Sequence, residues 1–255
     1  MWQVPHTAYP RLVTAPRARL VLVHGTRVSG VQWAAHRSWL EPEFEVVTPD
    51  LPRHGSRASV PFTMPAAVAA VAEAVESTAP GLPVVLAGHS LGGYVAMTYA
   101  STHSERLAGL VLIGSTSVPS GPGAAVYRAL GWATDAAGPD RMARFNDRIL
   151  SRIAPPEVFN PIAAEGYYFE GIRDMWAEVM AGGRPELLDT VTCPVLILRG
   201  SLDQVAVNTR QYAAHARDVR VRTIRGASHL LPLTRPWHTS AILAGFAREV
   251  TARPE

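Results

Sequence analysis

Lysine is absent from the 255-residue sequence, cysteine occurs once, and no long hydrophobic run is present. All 24 basic side chains are therefore arginine, and against 21 acidic residues they leave a formal net charge of +3. Because the arginines form no dense basic block, a nucleic-acid-binding surface is not indicated. The single Cys193 cannot form an internal disulfide, and no cysteine–histidine cluster with metal-ligand spacing surrounds it.

Two kinds of hydrophobic segment are also missing. The apolar runs are far shorter than the ~20 residues that a membrane-spanning helix needs. The first residues lack the basic start and apolar core of a signal peptide, so we expect a cytoplasmic protein. Hydrophobic residues make up 47% and charged residues 18% of the chain, which is typical of a folded globular domain.

Short apolar segments alternate with helical ones along most of the chain. This alternation predicts an α/β fold, with a mostly parallel twisted sheet, helices on both faces and right-handed crossovers. The predicted strands are residues 20–23, 45–48, 84–87, 107–113, 195–199 and 219–224. The predicted helices between them are residues 32–40, 66–77, 93–102, 208–215 and 237–250.

The alternation stops between Val118 and Leu188, where a proline- and glycine-rich loop opens a helical segment. We expect a helical cap of residues 118–188, folded over the strand ends of a core domain of residues 1–117 and 189–255. Several cap aromatics are candidates for the lining of an apolar pocket. The pocket candidates are Tyr127, Trp132, Tyr168 and Trp176. The predicted cap helices are residues 124–134, 139–153 and 161–180.

The most informative stretch joins a strand to a helix through glycines. The run Val84-Val85-Leu86-Ala87 predicts a buried strand, and the residues after Ser90 favour a helix. Between them lies Gly88-x-Ser90-x-Gly92, whose glycines permit a very tight turn. Ser90 would then stand above the strand end as a nucleophile. The backbone N–H of Leu91 and the helix N-terminus would face the developing oxyanion.

A serine nucleophile needs a base and a third group that orients the base. His229 lies in the loop Gly226-Ala227-Ser228-His229, directly after the last predicted strand, where its side chain can reach across the strand ends. Asp203 directly follows the strand predicted at residues 195–199. The loop after Ile113 is the alternative position for the acid, and it offers no carboxylate. We therefore expect Asp203 to orient His229.

These segments resemble the α/β-hydrolase family, of the single-domain type with a helical cap. The resemblance covers nearly all of the chain outside the cap and includes the chain order Ser90, Asp203, His229. The other matching motifs are Val21-Leu22-Val23-His24-Gly25, Thr48-Pro49-Asp50-Leu51-Pro52 and the segment of residues 193–203, which ends at Asp203.

The resemblance implies roles for several further residues. The backbone N–H of Thr26, after the first His-Gly, would complete an oxyanion hole with the amide that follows the serine. Trp33 matches a position that is frequently near the substrate pocket, whereas His24 and Asp50 match positions that hold loops in place. Arg53 stands where the family usually has glycine. Its side chain would either reach the pocket mouth or point into solvent, and we favour solvent.

The activity implied by the resemblance is acyl transfer to water through an acyl-enzyme, with no cofactor or metal. We favour an ester of a small to medium, largely apolar substrate. A thioesterase or acyl transferase on a carrier-bound intermediate, a lactonase and a perhydrolase stay open. A C–C hydrolase is disfavoured, because those enzymes usually carry Asn and Trp where this chain has His89 and Leu230. A hydrolase-fold small-molecule receptor with a silent triad is the alternative outside enzymes.

One predicted cap helix carries a row of arginines. Arg141, Arg144, Arg148 and Arg152 are spaced three or four residues apart and therefore share one side of that helix. A solvated outer face is the simpler interpretation. The alternative is a docking surface for an anionic substrate or a carrier protein.

Overall fold

A parallel sheet of six strands forms the centre of the computed structural model, which describes residues 15–118 and 136–252. The strands are β1 (Arg19–Val23), β2 (Glu45–Val47), β3 (Val84–His89), β4 (Gly109–Ile113), β5 (Val195–Gly200) and β6 (Val219–Ile224). They lie side by side in the order β2-β1-β3-β4-β5-β6. The residues of β1, β3 and β4 are buried throughout, as expected for central parallel strands covered on both faces.

Helices cover both faces of the sheet. They are α1 (Ala34–Leu40), α2 (Met64–Glu76), α3 (Leu91–His103), α4 (Pro139–Ile153), α5 (Pro156–Glu165), α6 (Ile172–Gly182), α7 (Thr209–His215), α8 (Leu231–Thr234) and α9 (Pro236–Val250). Alternate strand residues point to opposite faces. Leu86 therefore packs in one hydrophobic layer with α2, α3 and α7, whereas its neighbour Val85 packs in the other layer with α1 and α9.

Parallel pairing brings the carboxyl ends of the strands to one edge. In register, Val23 lies opposite Gly88, His89 opposite Ile113, and Gly200 opposite Ile224. The loops that follow β1, β3, β5 and β6 therefore meet at this edge, which is where ligands bind in open α/β sheets.

The segment between β4 and β5 interrupts the strand–helix alternation. Its described part contains α4, α5 and α6. Leu150 of α4 and Val158 of α5 pack against Val28 in the loop after β1, while Met175 of α6 joins the layer that contains α2 and α3. The division into a cap of residues 118–188 and a core domain stays a prediction.

The predicted fold class is confirmed, and most predicted elements differ from the observed ones by one to three residues at an end. The predicted helix of residues 161–180 is wrong, because this stretch contains the end of α5 and most of α6. Gly166 and Gly171 separate the two helices with φ angles of 96° and 75°, which a continuous helix cannot contain. The predicted helix of residues 124–134 lies outside the described residues.

Within residues 15–118 and 136–252, every helix is too short or too polar to cross a lipid bilayer.

Candidate active site

Ser90 lies at the sharp turn between β3 and α3, in a backbone conformation that few non-glycine residues adopt. Its φ is 53° and its ψ is −118°, and its N–H donates to the carbonyl oxygen of Ile113 at 2.8 Å. Such strained angles persist only where the surrounding structure enforces them. A serine in this conformation presents its Oγ above the end of the strand.

The glycines on either side of Ser90 are required by close backbone contacts. A Cβ atom on Gly88 would overlap the backbone of Gly92, on the first turn of α3. A Cβ on Gly92 would overlap the backbone carbonyl of His24, in the loop after β1. The spacing of the motif therefore follows from the packing of three backbone segments around one turn.

His229 reaches Ser90 from the loop after β6. Its Nε2 lies 3.0 Å from Ser90 Oγ, and its Nδ1 lies 3.1 Å from Asp203 Oδ1. Because an ionised carboxylate can only accept hydrogen bonds, Nδ1 carries the proton and Nε2 accepts from the serine hydroxyl. This is the orientation that a general base needs.

Asp203 follows β5 with its side chain completely buried. Its Oδ1 also accepts the N–H of Val205 at 2.8 Å. Burial by itself would raise the pKa of Asp203, but the hydrogen bond and charge of His229, with the N–H of Val205, outweigh burial and lower the pKa. The carboxylate is therefore ionised at neutral pH and can stabilise an imidazolium.

His89, next to the serine in sequence, supports the loop that carries His229. Its Nε2 lies 3.0 Å from the backbone carbonyl oxygen of His229, which can only accept, so Nε2 is the donor. Burial lowers the pKa of His89 to about 3, which keeps the ring neutral. No sequence signal pairs positions 89 and 229, so the sequence does not predict this contact.

His24 and Asp50 hold the loops beside the site. His24 Nε2 accepts the N–H of Leu51 at 3.0 Å, and its Nδ1 donates to the carbonyl oxygen of Gly25 at 2.8 Å. Asp50 Oδ1 accepts the N–H of Gly30 at 2.8 Å. Burial, with the neighbouring His54 ring, lowers the pKa of His24 to about 3, so this neutral ring can donate and accept at once.

The cavity beside Ser90 is lined by the two residues whose backbone N–H groups are expected to form the oxyanion hole. Thr26 and Leu91 both line it, and their N–H groups donate to no other described residue. Leu91 is the first residue of α3, where a helix leaves its N–H groups unsatisfied and carries partial positive charge. The arrangement can supply two donors to an oxyanion formed at Ser90.

The space around Ser90 has two arms, which share Thr26, Ser90, Trp176 and Val205. We call the first the apolar arm; its remaining lining residues are Leu91, Tyr94, Ser117, Met175, Val179 and Met180. We call the second the histidine arm; its remaining lining residues are Gly25, Arg27, His89, Ile172, Gln204, His229 and Leu230.

The predicted pocket residues have different positions. Trp176 lines both arms. Tyr168 lies on a separate surface cavity. Trp33 was expected near the pocket, but it is completely buried in the hydrophobic layer beneath α1 and α9 and lines neither arm. The short helical turn before α1 directs it into this layer. Tyr127 and Trp132 lie outside the described residues.

The fold and the site geometry define a class of protein, and comparison with known proteins identifies the family. The model of the alpha/beta hydrolase family matches residues 20–241. The chain therefore belongs to the alpha/beta hydrolase family.

Two curated relatives match over short regions. Lipase LipV of Mycobacterium tuberculosis is 39% identical over 97 residues, which are 38% of this chain and 36% of LipV. A pimeloyl-[acyl-carrier protein] methyl ester esterase of Aromatoleum aromaticum is 36% identical over 102 residues, which are 39% of this chain and 38% of that protein. The chain thus aligns with little more than a third of the length of either relative.

Solved structures match over nearly the whole chain. A thermophilic esterase from Thermogutta terrifontis, solved with malate bound, is 27% identical with a TM-score of 0.74, covering 94% of this chain and 92% of that one. MenH from S. aureus has a TM-score of 0.75 at 18% identity, covering 94% of this chain and 97% of that one. The likeness to MenH shows the fold alone.

Proposed function

We propose that the protein is a serine esterase that cleaves a carboxylic ester of a small to medium, largely apolar substrate. The observation that carries the proposal is the continuous hydrogen-bond chain from Ser90 Oγ through His229 to the buried Asp203. A serine hydroxyl is a poor nucleophile unless a base accepts its proton and a third group orients that base. Esterases and a lipase among the similar proteins favour the same reaction class.

In this mechanism, Ser90 Oγ attacks the ester carbonyl carbon while His229 Nε2 takes the hydroxyl proton. Asp203 remains ionised and stabilises the imidazolium. The tetrahedral oxyanion accepts hydrogen bonds from the N–H groups of Thr26 and Leu91. His229 then protonates the leaving alcohol oxygen, which gives an acyl-enzyme. Water attacks the acyl carbon with His229 as base, and the acid and free Ser90 are released.

The apolar arm favours a largely apolar acyl group. Met175, Val179 and Met180 give this arm flexible and branched apolar walls close to Ser90. Burying such a chain gains about 0.8 kcal/mol for each methylene. We therefore expect kcat/KM to rise with acyl chain length and then to fall once the arm is full, which a panel of p-nitrophenyl esters from acetate to decanoate would measure.

A fluorophosphonate probe tests the activated serine directly. We expect the wild-type protein to be labelled and to cleave p-nitrophenyl esters, and Ser90→Ala to do neither. Ser115→Ala is the matched control, since Ser115 is also buried, but its hydroxyl contacts no histidine among the described residues. An unlabelled, inactive wild-type protein that still binds small molecules would instead favour the receptor alternative.

A carrier-bound substrate is a second candidate, favoured by the surface of α4. Arg141, Arg144, Arg148 and Arg152 are all exposed on this helix, and an acidic carrier would be attracted to such a row. One relative acts on a pimeloyl-acyl-carrier-protein ester. If a carrier docks here, the double variant Arg144→Glu, Arg148→Glu will lose kcat/KM for the carrier-bound ester but keep it for the same ester without the carrier. The ratio of the two kcat/KM values will therefore fall. An unchanged ratio contradicts docking on α4.

A further inference from the structure

Arg27 is the residue beside the site that the proposed mechanism leaves unused. It follows Thr26, lines the histidine arm and has a φ of 74°, in the left-handed region. Its guanidinium forms no ion pair or hydrogen bond with any described residue. Arg53 shares the left-handed backbone with a φ of 67°, but its guanidinium is paired with Glu170 at 2.8 Å.

Both the backbone conformation and the partial burial of Arg27 are unfavourable for an arginine. A left-handed backbone is unfavourable for a non-glycine residue. Burial lowers the pKa of Arg27, yet a guanidinium keeps its charge at neutral pH. A partly buried cation without an anionic partner loses part of its hydration, which a hydrogen-bonding anion can replace. An anionic group of a ligand would supply the missing partner.

The histidine arm has the composition of an anion subsite. Its lining includes Arg27 and Gln204 as donors and, among the described residues, no Asp or Glu. A carboxylate entering this arm would therefore meet no like charge on its walls. The planar fork of a guanidinium matches a carboxylate through two parallel hydrogen bonds.

The position of His229 decides which part of the ester occupies this arm. His229 must protonate the leaving oxygen, so the leaving group lies on the side of its imidazole. His229 lines the histidine arm and is not among the lining residues of the apolar arm. The acyl group then occupies the apolar arm, and the alcohol portion lies beside Arg27.

We propose that Arg27 is a specificity-determining residue that pairs with a carboxylate on the alcohol portion of the substrate. The inference rests on the proposed function for the direction in which the ester binds. The substrate class is thus an ester between an apolar acid and a hydroxy acid, with the carboxylate only a few bonds from the scissile oxygen. Arg27 directly follows Thr26 and lines the same arm as Ser90 and His229, so it suits a charge close to the scissile bond.

Two isosteric esters test the proposal: 3-(butanoyloxy)benzoate and its neutral analogue 3-(butanoyloxy)benzamide. We expect wild-type kcat/KM to favour the carboxylate over the carboxamide by on the order of 10- to 100-fold, as for one charge-assisted hydrogen-bonded pair. In Arg27→Met this ratio should fall to near one. Arg27→Lys should retain part of it, because the charge remains without the fork.

The controls separate charge recognition from folding. Arg53→Met removes a second left-handed arginine and should leave the ratio at its wild-type value. Arg27→Gly relieves the backbone strain, so it replaces Arg27→Met if that variant does not fold. The ratio of the two kcat/KM values should fall to near one in Arg27→Gly as well. Equal rates for the two esters in the wild type, or an unchanged ratio in Arg27→Met, would overturn the proposal for Arg27 while leaving the esterase intact.

If the proposed esterase function is wrong, the experiments give a different result. If Ser90 is not labelled by the fluorophosphonate and neither ester is cleaved, the proposed function fails. Calorimetric binding of 3-hydroxybenzoate and 3-hydroxybenzamide then tests Arg27 alone. Tighter binding of the carboxylate to wild type than to Arg27→Met supports the anion subsite, and equal binding rejects it.

Discussion

Two aspartate–histidine pairs in this chain have similar geometry and different surroundings. Asp203 Oδ1 lies 3.1 Å from His229 Nδ1, and Asp189 Oδ1 lies 2.9 Å from His215 Nδ1. The Asp203 side chain is completely buried, whereas the Asp189 side chain is 57% exposed. Among the described residues, only the buried pair continues to a serine hydroxyl. The hydrogen bond alone therefore does not define the site; burial and the third group do.

The two aspartate–histidine pairs allow a prediction for Asp203 with Asp189 as the matched control. We expect Asp203→Asn to lower kcat on p-nitrophenyl butyrate by about 10²- to 10⁴-fold, because the amide N–H can donate to Nδ1 and favour the wrong imidazole tautomer. Asp189→Asn should change kcat by less than about twofold, as an exposed pair contributes little. Steady-state kinetics on both variants measures this. Similar losses in the two variants would remove Asp203 from its proposed role.

At the scale of elements, the β3–α3 turn depends both on its own glycines and on the segments that pack against it. The glycines of the turn are legible in the sequence, but the groups that they approach are on other segments. Gly92, for example, leaves room for the carbonyl of His24. The segment between β4 and β5 shows the opposite case, because Gly166 and Gly171 separate two helices where the sequence predicts a single one.

The surroundings of Gly88, in the turn, and of Gly245, on α9, predict unequal effects when each is replaced by alanine. Gly88→Ala should lower the free energy of unfolding by about 3 kcal/mol or more, or prevent folding, because its Cβ would overlap rigid backbone. Gly245→Ala, on the exposed side of α9 with no neighbour near its Cβ, should raise the free energy of unfolding by up to about 1 kcal/mol. Urea denaturation measures both. A Gly88→Ala protein of wild-type stability would mean that the turn has another conformation.

At the scale of the whole molecule, four buried histidines make the fold sensitive to acid. Burial lowers the pKa of His24, His36 and His89 to about 3 and that of His54 to about 4, from 6.5. The folded state therefore binds fewer protons than the unfolded state between these values and 6.5. Stability is fully present above pH 6.5 and is lost as the pH falls, by up to about 1.4 kcal/mol per pH unit for each histidine.

Substitution of His36 measures how much one buried histidine contributes to this pH dependence. It is completely buried, with ring contacts to Trp33 and Trp39. We expect His36→Phe to reduce the loss of stability between pH 7 and pH 5 by about 2 kcal/mol, because position 36 then binds no proton in the unfolded state. Urea unfolding at the two pH values gives the difference. His238→Phe, which removes an exposed ring, should leave the loss as in wild type, and an equal effect of both variants would contradict the assignment.

The sequence by itself determined the fold class and most of the local elements, since strand–helix alternation and turn glycines are properties of neighbouring residues. It also named Ser90, Asp203 and His229 as candidates, because each follows a strand end that parallel pairing brings to one edge. Their contact distances depend on the packing of the sheet.

Only the tertiary structure decided what surrounds the serine. It buried Trp33 in the core, set His89 against the carbonyl of His229 and placed Arg27 beside the histidine arm with no partner among the described residues. Positions 89 and 229 are 140 residues apart, and no local pattern links them. Such contacts arise from the packing of loops on different strands, so the sequence alone indicates which residues can react, and the folded chain determines what they can recognise.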